Sequence, residues 1–104
     1  MDYKVIVTDD AFEDLDNILY YILFVLKNEP AAQNVLSDFE LTKQHLSHIA
    51  GSLKLCENSR LREKGYRRLE FQKHSYFLLY RIEGTLALID AVFHDLQDFE
   101  KKMT

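Results

Sequence analysis

Residues 65–94 read GYRRLEFQKHSYFLLYRIEGTLALIDAVFH, and this run decides the fold. Tyr66–Gln72 alternates, with Leu69 and Phe71 on one face and Arg68, Glu70 and Gln72 on the other, which predicts a half-buried strand. Ser75–Ile82 is apolar on both faces and predicts a central strand. Thr85–His94 is also largely apolar. The links at Lys73–His74 and Glu83–Gly84 are short enough for β-hairpins, so the three strands should form an antiparallel meander.

Working outward, residues 3–8 read as one more strand, rich in β-branched side chains. Thr8 or Asp9 then caps a helix whose first turn holds Asp10, Glu13 and Asp14, where carboxylates meet the positive end of the helix dipole. Phe12, Leu15, Ile18, Leu19, Ile22, Val25 and Leu26 recur at helical spacing, taking this helix to about Lys27. Pro30 suits the first turn of a second helix with an apolar stripe of Ala32, Val35, Leu36, Phe39, Leu46 and Ile49, and Gly51 is a plausible stop. The short join predicts an antiparallel helical hairpin. Residues 52–65 lack a clean period and read as a loop. Asp95 is positioned to cap a last short helix carrying Leu96 and Phe99. The expected fold is α+β, in the order β-α-α-β-β-β-α, with a helical hairpin on one face of a mainly antiparallel four-stranded sheet.

At 104 residues the chain has room for one domain over 1–104. With 47% hydrophobic and 29% charged residues it is neither a low-complexity nor a disordered composition. No apolar stretch approaches the length that spans a bilayer, and no signal peptide is legible. The one cysteine, Cys56, leaves no internal disulfide, as expected of an intracellular, cytoplasmic protein. No metal-ligand spacing, nucleotide loop or nucleophile elbow is present, so neither a metal nor any other cofactor is expected.

The net charge of −4 is unevenly spread. Residues 54–81 carry eight basic side chains against three acids, and every arginine lies between 60 and 81. Segregation of this kind suggests an anion-facing patch, with Arg62 and Arg67 as candidates, although solvated charge on a sheet face reads the same way. Arg68, Arg81 and His94 are the candidate catalytic set: guanidinium groups bind phosphate, and a histidine exchanges protons near neutral pH. Strand alternation opposes a single site, because Arg67 and Arg68 point to opposite faces. Phe12, Tyr20, Tyr21 and Phe24 exceed what one buried helical stripe can use, and are candidates for a partner-binding surface.

Three stretches together resemble the RelE/ParE superfamily of bacterial toxins. They are Tyr3–Thr8 with Ala11, Asp14-Leu15, Ile18 and Tyr21-Ile22; Leu61-Arg62 with Gly65–Leu69; and Tyr76–Ile82 with Val92-Phe93-His94. The resemblance covers nearly the whole chain. It implies the toxin of a type II toxin–antitoxin system, held in a hetero-oligomer by a cognate antitoxin that wraps and silences it. The superfamily divides by target: ParE-like members inhibit DNA gyrase, and RelE-like members cut messenger RNA on the ribosome. In RelE-like nucleases an arginine usually follows the position matched by Tyr76, and here that residue is Phe77. A phenylalanine cannot stabilise charge at a reacting phosphate. Many nuclease members are also strongly basic, whereas this chain has a pI of about 5.5. Both departures favour a ParE-like reading, with no catalysis, over an mRNA endoribonuclease.

Overall fold

A computed structural model describes residues 2–97 and 99–103; residues 1, 98 and 104 of the expected domain lie outside that description. Strand β1 (Lys4–Val7) leads into α1 (Asp9–Tyr20), which continues through a π-helical turn at Tyr21–Val25. Helix α2 (Glu29–Ile49) ends in a short 3-10 turn, and α3 (Ser59–Glu63) precedes the meander of β2 (Arg67–Glu70), β3 (Tyr76–Glu83) and β4 (Leu86–His94). Helix α4 (Phe99–Met103) closes the described chain. The sheet order is β1-β4-β3-β2, with β1 parallel to β4 and the other pairs antiparallel. Among the described residues no helix is long and apolar enough to cross a membrane.

Local chemistry fixes the joints. The Thr8 side chain accepts from the Ala11 N–H at 3.4 Å and donates to the Ile89 carbonyl at 2.9 Å, so one residue caps α1 and ties it to β4. Asn28 caps α2 through the Ala31 N–H at 3.1 Å, with Pro30 in the first turn. Between the two helices Lys27 takes a left-handed conformation (φ +52°). Gly84 (φ +59°) makes the two-residue turn between β3 and β4, a backbone state that residues with a Cβ adopt at a cost.

The hairpin of α1 and α2 covers one sheet face, where Leu15, Phe39 and Leu46 meet Leu78, Tyr80 and Ile89. Leu36, assigned to the buried stripe from its spacing, is 41% exposed. Two expectations outside the hairpin need correction. Residues 59–63 form a helix rather than loop, started by the Asn58 side chain, which accepts from the Arg60 and Leu61 N–H groups. A single buried apolar residue, Leu61, holds it down, too few for a visible period. The last helix is described over Phe99–Met103, and Leu96 lies outside it and is exposed, while Asp95 pairs with Arg68. Helices therefore lie on both faces: Phe99 and Met103 of α4 cover a second cluster of Phe77, Leu79, Ala91 and Phe93.

Gly51 marks a close approach. A Cβ there would stand 2.5 Å from the Tyr3 hydroxyl. Gly51→Ala is expected to shift the tip of the Tyr3 side chain and, because that end can swing aside, to cost no more than about 1 kcal/mol in urea unfolding; a loss of several kcal/mol would show that Tyr3 is locked in place.

Candidate functional site

A β-bulge organises the second face. Leu79 pairs with Ala91 and Tyr80 with Ile89, so Asp90 is the extra residue on β4. Ile89 consequently packs against the helical hairpin while Ala91 joins the second cluster. The bulge brings the Asp90 carboxylate to Arg81 Nε at 2.7 Å and to the Tyr66 hydroxyl, which donates to it, at 2.8 Å. Arg81 also reaches Glu83 at 2.6 Å. The hydrogen bond to Asp90 leads the causes that push the Arg81 guanidinium above its ordinary pKa. Burial, then the Asp90 bond, raises the Tyr66 phenol. Asp90 was not singled out from sequence; the available signal was a lone acid inside an apolar strand.

Arg68 lies on the same face, two register positions from Arg81. Its guanidinium stacks 3.6 Å from the centroid of Phe77 and contacts Glu70 at 2.6 Å and Asp95 at 3.5 Å. Arg67 points the other way, donating to the Ala50 carbonyl at 3.0 Å. The buried Tyr80 hydroxyl donates to the same carbonyl at 2.7 Å, and burial pushes its pKa to about 12. Arg67 thus closes the C-terminal end of α2 and does not join Arg62, which is exposed on α3. His94 pairs with Tyr76, five residues along β3 from Arg81, or roughly 17 Å of strand. Its Nδ1 accepts the Leu96 N–H at 3.1 Å. The structure therefore brings Arg68 and Arg81 to one face but separates them from Arg67, and sets His94 at the far end of the sheet. No single phosphate meets all of the candidate catalytic residues.

A different surface is laid open by α1 and its π-turn. Tyr20, Tyr21, Phe24, Val25 and Leu26 are each more than half exposed, and the Tyr20 and Phe24 rings lie 4.8 Å apart. A π-turn inserts an extra residue per turn and is a frequent companion of functional sites. Grooves run on both sides of this ridge. One, of about 730 Å³, lies between the ridge and β4 and includes Asp14, Ile18, Tyr21, Leu26, Tyr76 and His94. Here β4 outruns β1, whose pairing stops at Ile89. The Asp14 carboxylate accepts the Val92 N–H at 3.1 Å, and the Gln97 side chain accepts the His94 N–H at 2.8 Å, so two edge donors are already used. Burial raises the Asp14 pKa. The other groove, of about 630 Å³, separates Phe24 from Leu36 of α2. Phe12 is also exposed, two turns earlier on α1, and lines neither groove.

This arrangement of hairpin and sheet is shared with chains of two known toxin–antitoxin systems. A chain of the chromosomal ParDE system from P. aeruginosa superposes with a TM-score of 0.69 at 19% identity, covering 88% of this chain and 95% of that one. A chain of the RelBE2 toxin–antitoxin complex from Mycobacterium tuberculosis gives 0.56 at 24% identity, covering 90% and 99%. No curated protein matches the chain by sequence. The family model for the ParE toxin of the type II toxin–antitoxin system parDE matches residues 5–99, and the chain belongs to that family.

Proposed function

We propose that this protein arrests growth in the cytoplasm by binding an essential protein target, with DNA gyrase as the ParE-like expectation, and that a cognate antitoxin silences it by covering the Tyr20–Phe24 ridge. The observation that carries the non-catalytic reading is the state of the arginines. Arg67, Arg68 and Arg81 are each spent on internal partners, and Phe77 is buried where a nuclease needs a free cation. Stabilising a reacting phosphate requires donors already aimed at it, and these donors are aimed at carboxylates and a backbone carbonyl.

The test is induction of the chain without its antitoxin, with mapping of cellular RNA 5′ ends and a supercoiling assay on purified gyrase. Growth arrest without new RNA ends, together with inhibited supercoiling, is expected. His94→Ala should arrest growth as wild type does, whereas loss of a catalytic group would reduce activity about 100-fold or more. New ends inside translated messages that vanish in His94→Ala and Arg81→Ala would establish a messenger-RNA endonuclease instead.

A further inference from the structure

The outer face of α1 changes character along its length. Asp9, Glu13, Asp16, Tyr20 and Phe24 follow one another at spacings of four, three, four and four residues, which places them in one stripe. All five are exposed. The first three are carboxylates and the last two are the stacked aromatics of the ridge. Asp9, Glu13 and Asp16 make no ion pair among the described residues. Like charges at these spacings cost a few tenths of a kcal/mol per pair. In the structure the first turn of α1 holds Asp9 and Asp10, not Glu13 as its spacing suggested, so the helix dipole offsets this for Asp9 but not for Glu13 and Asp16 further along. Among the described residues Lys27 is the one cation lining the groove beside Phe24; Glu29 lines the same end, and both follow α1 at the end away from Asp9, Glu13 and Asp16.

We propose that the partner segment docking on this face is amphipathic and basic, setting apolar side chains over Tyr20 and Phe24 and lysines or arginines over Asp9, Glu13 and Asp16. This rests on the antitoxin reading above and adds the sign and order of its charges. Exposed large apolar side chains mark the contact, and the carboxylates select what covers it. A second copy docked through the same face would bring a second acidic stripe close to the first. An anionic lipid surface or a nucleic acid would be repelled in the same way. A cationic helix-in-groove segment satisfies both halves of the stripe.

The experiment uses two synthetic helical peptides with an identical leucine stripe, one flanked by lysines and one by glutamates, titrated onto the full chain at low and high salt. The lysine peptide is expected to bind at least about tenfold more tightly, and to weaken at high salt. Phe24→Asp should weaken it about tenfold or more while leaving every acid in place. A D9K/E13K/D16K triple variant should reverse the preference towards the glutamate peptide. All of these positions are exposed, and circular dichroism checks that the variants fold. The proposal is overturned by equal binding of the two peptides, by no binding of either, or by lysine-peptide binding that Phe24→Asp does not reduce. Growth arrest is read separately. A chain that arrests growth but prefers the acidic peptide loses this proposal alone, and one that keeps the preference without arresting growth loses the toxin reading alone.

Discussion

Asp38→Ala is expected to destabilise the protein by about 3 kcal/mol, through the loss of three partly buried hydrogen bonds that share one buried acceptor group. Asp38 projects from α2 with 1% exposure. Its carboxylate accepts the Gln72 N–H at 3.1 Å and the Lys73 N–H at 2.9 Å, and lies 2.7 Å from His74 Nδ1. Those donors form the connection between β2 and β3, so one side chain of the hairpin fixes the turn that registers the meander. Alanine would leave the two backbone N–H groups without this acceptor. His74→Ala keeps both backbone bonds and should cost only about 1 kcal/mol. Urea midpoints measure both, and equal losses would place the anchor in the histidine pair instead.

Acid should expose the same group. Burial alone would raise the Asp38 pKa, but the bonds from His74, Lys73 and Gln72 win and hold it below the ordinary carboxylate value. A carboxylate with a depressed folded-state pKa contributes stability fully above its unfolded pKa, near 4, and loses it as pH falls through the folded value. The melting temperature should fall on acidification below about pH 4, and Asp38→Asn should flatten that fall. An unchanged slope would assign the acid sensitivity to other carboxylates.

Phe77→Ala carries the other large expected effect, about 4 kcal/mol, typical of emptying a buried phenylalanine site. Phe77 is fully buried, with ring centroids 5.7 Å from Phe93 and 5.0 Å from Phe99. Arg68 lies across its face, so truncation also removes that guanidinium's platform. Phe77→Leu keeps most of the volume and should cost less than half as much in the same urea titration. Phe77→Arg tests the comparison with RelE-like nucleases. It would bury a cation beneath α4, and it is expected to disrupt the second cluster rather than create a phosphate site. A stably folded Phe77→Arg that cuts RNA would contradict this account.

The meander was legible because alternation in Tyr66–Gln72 and the continuous apolar character of β3 and β4 are local signals that burial enforces at every position. The hairpin was legible for the same reason, with Thr8, Asn28 and Pro30 punctuating it. Helix α3 was not, because one buried leucine carries no periodicity. Asp38 is not legible in the sequence, because one acid beside Phe39 on α2 reads like any solvated helix residue. Only the approach of residues 72–74 from the other end of the chain makes it an anchor. Arg67, Arg68, Arg81 and His94 were visible as chemically capable residue types, while their partners were not.

The sequence by itself determined the order of the elements other than α3, the excess of aromatic residues on α1 and the confinement of every arginine to one segment. These are properties of spacing and composition, and neighbours along the chain suffice to express them. Tertiary structure decided what each charge is for. A guanidinium becomes a ligand for phosphate or an internal strut according to which carboxylates the fold carries to it, and the Asp90 bulge and the Asp95 turn carry them to Arg81 and Arg68. The Coulomb and hydrogen-bond energies that settle this act within a few ångströms, between residues that only the folded sheet brings together.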